Sequence, residues 1–158
     1  PVLKQPLDLF DFSNPPVNPL DLVCELSEVM LKENGIGISA NQIGLPHRVF
    51  VIKTDELIPC FNPKILDVST ETIVLEEGCL SFPGLTVKVK RPRRVEVTFQ
   101  DPTGQFNSKV WDGMTARVFQ HELDHLDGIT MIERASFIEK KRAMNKLKLL
   151  RRRNKKDA

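Results

Sequence analysis

The stretch "VFQHELDHLDG", residues 118–128, constrains this chain more than any other. It holds two of the three histidines, four residues apart, with a glutamate after the first. On an α-helix, positions four apart differ by about 40° around the axis, so His121 and His125 face the same way and can reach one ion. Glu122 is rotated by about 100° from His121, placed to move the proton of a metal-bound water without being a ligand. Two imidazoles hold a metal poorly, so the fold has to bring a further ligand to this helix. The extended pattern HExxHxxGxxH is followed as far as Gly128, but position 131 is Met131. Glu139 is a conceivable donor with a competing place in a helix cap. His47 follows a proline in a turn and has no motif about it. Cys79, in "LEEGCLSFPG", is the remaining soft donor with a motif around it.

The rest of the chain reads as strands between helices. "NPLDLVCELSEVMLKENG" (18–35) is a helix with Asn18 as cap, Pro19 in its first turn and Gly35 closing it in the left-handed region. Cys24 is a small core or flank residue within it. "RVFVIK", "NPKILDV", "ETIVLEE", "LTVKVK" and "RRVEVTFQ" have strand character, and Asp101 to Gly104 is a turn from which "QFNSKVW" returns as a hairpin partner. Helical periodicity resumes from Met114 to Leu126, with Asp112 as its cap and Gly128 as its end. "ITMIE" (129–133) reads as a short strand, and Ser136 with Glu139 as a capping box that starts the last helix. Consecutive, hairpin-connected strands make mainly antiparallel sheets. The fold class is α+β, with the HExxH helix at the centre and helices at both ends. The length suits one domain over residues 1–158, with a basic C-terminal helix and tail over about 137–158.

The net charge of +2 conceals an asymmetry. Residues 139–158 carry ten Lys or Arg against Glu139 and Asp157, a local +8, which leaves about −6 on the remainder. No apolar run is long enough to span a membrane, and "PVLKQPLDLF" lacks the basic and apolar regions of a signal peptide. Cys24, Cys60 and Cys79 are an odd number that cannot all pair. A cytoplasmic, monomeric protein with reduced thiols is the expectation.

Three short motifs stand in order: "GIGISANQ" (35–42), "EGCLS" (77–81) and "HELDH" (121–125). In these the chain resembles the peptide deformylase family, from about residue 20 to residue 150. The resemblance implies an α+β fold with Cys79, His121 and His125 on one divalent metal ion, Fe(II) natively, with zinc, nickel or cobalt able to take its place. It implies hydrolytic removal of the formyl group from N-formylmethionyl nascent peptides, with Glu122 as general base and then acid. The side-chain amide of Gln42 and the backbone N–H of Leu80 would steady the developing oxyanion. Ile36, Leu75, Met114 and Val118 match the family's methionine pocket. Gly37 would let backbone approach closely, and Glu77 could pair with Arg91 in support of the ligands.

This chain departs from the family pattern at three positions. Ser39 stands where alanine is common, and Thr86 where many members have a substrate-contacting arginine. Arg117 stands one turn before His121, where some have an apolar residue. Arg117 is the candidate to supply the cation that position 86 lacks. The resemblance implies that the basic tail docks on the ribosome, as in bacterial deformylases with such a helix; on charge alone it is a solvated helix end or a surface for RNA phosphates. Two other classes compete: a zinc peptidase with a ligand other than Cys79, and a non-enzymatic metal-containing RNA-binding module in which Cys60 would complete a closed site.

Overall fold

The computed structural model describes residues 2–158. Its elements are α1 (Pro19–Lys32), β1 (Gly37–Ser39), β2 (Val49–Lys53), β3 (Leu57–Val68), β4 (Thr72–Gly78), β5 (Thr86–Pro92), β6 (Arg94–Gln100), β7 (Phe106–Asp112), α2 (Gly113–Leu126), α3 (Met131–Arg134) and α4 (Phe137–Lys156). One antiparallel sheet has the strand order β1-β2-β3-β6-β7, and β4 pairs with β5 in a second. No helix among the described residues is long and apolar enough to cross a membrane.

Strand alternation shows how the five-stranded sheet is covered on both faces. In β2, Val49 and Val51 point to α1, where they join Leu22, Leu26 and Met30 of that helix and Ile38 of β1. Phe50 and Ile52 point the other way, to Phe119, Leu123 and Leu126 of α2. The continuous run "VFVI" is therefore a strand buried on both faces. β6 alternates Val95, Val97 and Phe99 inward with Arg94 and Glu96 outward. β5 likewise buries Val87, Val89 and Arg91, and the first two pack against Met131 and Ile132 of α3 and Ala143 of α4. Residues 116–126 of α2 are all buried, which makes it the central helix of the fold.

Several local expectations need correction. "ITMIE" is not a strand: Met131–Arg134 form one helical turn, opened by Thr130, whose backbone N–H donates to the Glu133 carboxylate at 2.9 Å. This reciprocal cap wins over the apolar alternation. Asn34, with φ of 55°, takes the left-handed position after α1, and Gly35 follows in ordinary backbone. A Cβ on Gly35 would lie 2.9 Å from Leu80 Cδ1, so its glycine serves close packing. Asp112 precedes α2 but makes no side-chain cap, because its carboxylate takes Arg93 at 2.9 Å. Ser136 accepts from the Glu139 N–H, but the Glu139 carboxylate reaches across to the Lys88 N–H at 3.0 Å, so only half the expected box forms. Cys24 is exposed on the flank of α1.

The irregular N-terminal segment is tied down at two points. Leu7 N–H donates to the Leu126 carbonyl at 2.9 Å, and the Asn62 carboxamide bonds both the N–H and the carbonyl of Phe10.

Phe119 is fully buried, with its ring centroid 5.1 Å from that of Phe50 and 5.6 Å from that of Trp111. Phe119→Ala is expected to cost about 3–5 kcal/mol in urea unfolding. A loss below about 1 kcal/mol would show that the α2–sheet contact does not carry this core.

Candidate metal and active site

Two turns converge on the buried C-terminal half of α2. The helix supplies His121, Glu122 and His125. The turn after β4 supplies Cys79, and the 3-10 turn after β1, Ala40–Ile43, supplies Gln42. Cys79 Sγ lies 3.3 Å from His125 Nε2, and the two Nε2 atoms lie 3.1 Å apart. The three ligand atoms all fall within 4.8 Å of one another.

Two imidazole nitrogens and a thiol facing one another form a place for positive charge. Ligands of one tetrahedral zinc, with bonds of about 2.0 Å to nitrogen and about 2.3 Å to sulfur, would stand about 3.3–3.6 Å apart, close to the two short distances, so a small adjustment brings all three atoms onto one ion. Burial disfavours the His121 cation, but its bonds to Cys79 and Glu77 and the nearby Glu122 carboxylate outweigh that and raise it to about 10. Burial and the His121 charge push His125 down to about 3. His121 Nδ1 sits 2.9 Å from Glu77 Oε1, so the ring can keep its proton on that side and turn Nε2 to an ion.

Glu77 is the hub behind the ligands. Arg91 grips it with two bonds of 2.6 and 2.9 Å, as the sequence pairing proposed, and Arg117 Nη1 adds a third at 2.6 Å. Burial would raise its carboxyl, but the bonds from His121 and Arg91 hold it down to about 2. Arg91 also pairs at 2.8 Å with Asp124, which Arg134 holds from the other side at 2.7 Å.

Glu122 is 4% exposed and faces a cavity of about 750 Å³. Burial pushes its carboxyl up to about 7 against the pull of His121. Its Oε2 is buried with no hydrogen-bond partner among the described residues, which leaves that oxygen able to take a proton. The Gln42 amide is oriented from both ends. Its Oε1 accepts from the Ser39 N–H at 2.9 Å and the Ser39 hydroxyl at 3.1 Å, which points Nε2 to Ser81 Oγ at 3.1 Å and Cys79 Sγ at 3.5 Å. Ser39, a departure from the common alanine, thus has a function that alanine could not supply.

Ile36, Gly37, Gln42, Glu77, Cys79, Leu80, Met114, Arg117, Val118, His121 and Glu122 all border this cavity. Leu75 does not; it lies opposite Val89 and is 38% exposed. Arg117 is buried with its guanidinium committed to Glu77 and to the carbonyls of Val89 and Ile73, which replaces the expected reach toward a ligand. At Thr86 it is Arg142 of α4 that arrives, donating to the Thr86 carbonyl at 2.8 Å. Phe82, Pro83 and Leu85 add apolar wall that sequence reading missed. Only the "FPG" turn signal beside Cys79 could have suggested it. Glu139 is held at Lys88 and Arg142, His47 packs edge-on against Phe10, and Cys60 is fully buried in the sheet with its thiol pushed well up by burial. None of the three belongs to the ligand cluster.

A model of the polypeptide deformylase family matches residues 1–141. The chain belongs to that family. Peptide deformylase of Thermotoga petrophila is 43% identical over 110 residues, 69% of this chain and 67% of the relative. That of Aquifex aeolicus is 37% identical over 156 residues, 94% of this chain and 90% of its own. A crystal structure of peptide deformylase from Plasmodium falciparum superposes with a TM-score of 0.87 at 33% identity, over 98% of this chain and 93% of that one. Deformylases are metal-dependent hydrolases that remove N-formyl groups from nascent peptides.

Gly37 of β1 packs directly against Glu122. A Cβ there would stand 2.7 Å from Glu122 Oε1 and 2.8 Å from Val118 Cγ1. Gly37→Ala should leave the circular dichroism spectrum unchanged and lower deformylation by about 10²-fold, the scale of a 1 Å misplacement. Wild-type turnover in a folded Gly37→Ala protein would mean that the Glu122 position does not limit the reaction.

Proposed function

We propose that this chain hydrolyses the formyl group from the N-terminal formylmethionine of newly made peptides, acting as one catalytic domain with a basic C-terminal helix. The observation that carries the reading is the asymmetry of the ligand cluster. Cys79 and His121 border the cavity together with Glu122 and Gln42, while His125 stands behind them, so the cluster meets the cavity on one side only. A structural site would surround its ion with protein ligands; a catalytic site keeps a position open.

Cys79, His121 and His125 would hold the ion. When bound, it supplies a lowered pKa for water and polarises the formyl carbonyl. Fe(II) is the native ion in this reading, with zinc, nickel or cobalt as substitutes that the mixed sulfur and imidazole set accepts. Glu122 takes the proton of the attacking water and passes it to the departing amine, a task suited to a buried carboxyl near neutrality. Gln42 Nε2 and the Leu80 N–H donate hydrogen bonds to the formyl oxygen as charge develops on it. The methionine side chain packs against Ile36, Leu80, Phe82, Met114 and Val118. The peptide that follows runs as an extended strand, since β1 and β4 are both sheet edges and residues of both border the cavity. Arg117 and Arg91 act through Glu77, which fixes His121.

The protein works as a monomer in the cytoplasm, or in an organelle that makes its own proteins. α4 turns Ala143, Leu147 and Leu150 toward the body and leaves Phe137 and Ile138 exposed beside its Lys and Arg residues. That basic face suits ribosomal RNA near the emerging chain.

Formate release from a formyl-Met tripeptide, with nickel-loaded protein, tests the reaction. The wild type should release formate with its peptide bonds intact, and Glu122→Ala should lose most of it, by about 10²–10⁴-fold. Cleavage of an internal amide instead would make the protein a peptidase. For the tail, deletion of 148–158 should reduce co-sedimentation with ribosomes and make the remainder less salt-sensitive. Unchanged sedimentation would remove the ribosome from the account.

A further inference from the structure

The two catalytic groups that face the formyl oxygen, Gln42 and the ion, come from segments far apart in the chain. Their separation depends on where the 3-10 turn Ala40–Ile43 rests against α2. Asn41, the residue before Gln42, is 2% exposed, and its Nδ2 donates to the main-chain carbonyl of His125 at 2.6 Å, across 84 residues of sequence. The orientation of this amide is fixed by chemistry, because a carbonyl oxygen can only accept.

The carbonyls in the last turn of a helix lack intrahelical partners and need others. At the end of α2 they find them in Asn41 Nδ2 at 2.6 Å and the Gly128 N–H at 3.1 Å on His125, and in Arg48 Nη1 and Leu7 N–H on Leu126. Gly128 is local to the helix end, so Asn41 is the one of these partners that reaches the carbonyl of a ligand residue from a distant segment, and it sits next to the amide donor. Ser39 sets the rotation of the Gln42 side chain within the turn. Asn41 sets where the turn sits along the helix.

We propose that Asn41 is a positioning residue that fixes the distance between the Gln42 amide and the ion held by His125, by pinning the turn of one to the helix carbonyl of the other. The proposal rests on the deformylase reading for its kinetic consequence but not for its effect on the ion. Removing the pin lets the last turn of α2 and the Gln42 turn shift independently. Outer partners of metal ligands commonly change metal affinity or activity by 10–100-fold, and the loss here should fall on kcat, because the methionine pocket is built from other residues.

The test uses the full chain loaded with Co(II), in the wild type and in Asn41→Ala, with Asn41→Ser as a smaller change should the alanine variant not fold. Val97→Ala, in the sheet core away from the turn, serves as the stability control. Expected for Asn41→Ala is a fall in kcat of about 10–100-fold with KM changed less than about threefold. Co(II) affinity should weaken by about tenfold or more, with altered intensity of the Co(II) absorption bands. Val97→Ala should lower the melting temperature and leave the Co(II) affinity and bands alone. Asn41 variants that lose thermal stability but keep wild-type kcat, Co(II) affinity and bands would reduce Asn41 to a structural residue and overturn the proposal. If the wild type releases no formate, the deformylase reading fails. The Co(II) affinity and spectrum still decide whether Asn41 positions His125.

Discussion

A buried carboxylate with four grips on it holds this molecule's chemistry in place. Glu77 is 5% exposed, and it bonds Arg91 twice, Arg117 once and His121 once. Because it stands two residues before Cys79, the same contacts that orient His121 also fix the turn that carries the third ligand. Removing one partner from such a cluster leaves uncompensated buried charge, which costs far more than the net contribution of the pair. The two sheets share few elements, and Glu77 is the joint through which β4 and β5 are registered onto α2. Arg91 extends the joint to Asp124 and Arg134.

Around that joint the fold brings four segments to one end of α2, and each has a different physical reason for being there. Gly37 allows β1 to lie against Glu122 with no room for a side chain. Asn41 satisfies a helix-end carbonyl. Cys79 follows from the β4–β5 pairing, which ends at Gly78 opposite Thr86. α4 closes the outer side, where Glu139 and Arg142 bond backbone groups of β5 that no further strand covers. The face of the helix that carries His121 and Glu122 borders the cavity.

Much of this was legible in the sequence because periodicity and local spacing carry it. The α2 pattern, the alternation in β5 and β6, the Asn18 cap and the i,i+4 histidines depend on neighbours close in sequence, and they stand in the structure. The Glu77–Arg91 pair also stands. What the sequence hid depends on distant partners. The three-residue β1 is too short to alternate, and it exists because β2 pairs with it. "ITMIE" alternates like a strand, yet no strand edge takes it and the Thr130–Glu133 cap does. Arg117 had the sequence position of a pocket residue, but Glu77 and two carbonyls claim its guanidinium. Asn41 carried no signal at all, because its partner is a backbone oxygen that only tertiary structure puts within reach.

The proposed reaction requires one ion held by a single thiolate and two imidazoles, with the remaining position left open. Metal-edge X-ray absorption on the zinc-loaded protein measures this most directly. The account predicts one sulfur at about 2.3 Å, two imidazole nitrogens at about 2.0–2.1 Å and a light oxygen scatterer. A shell without sulfur would take Cys79 out of the centre. A shell with two sulfurs would close the site and contradict the catalytic reading.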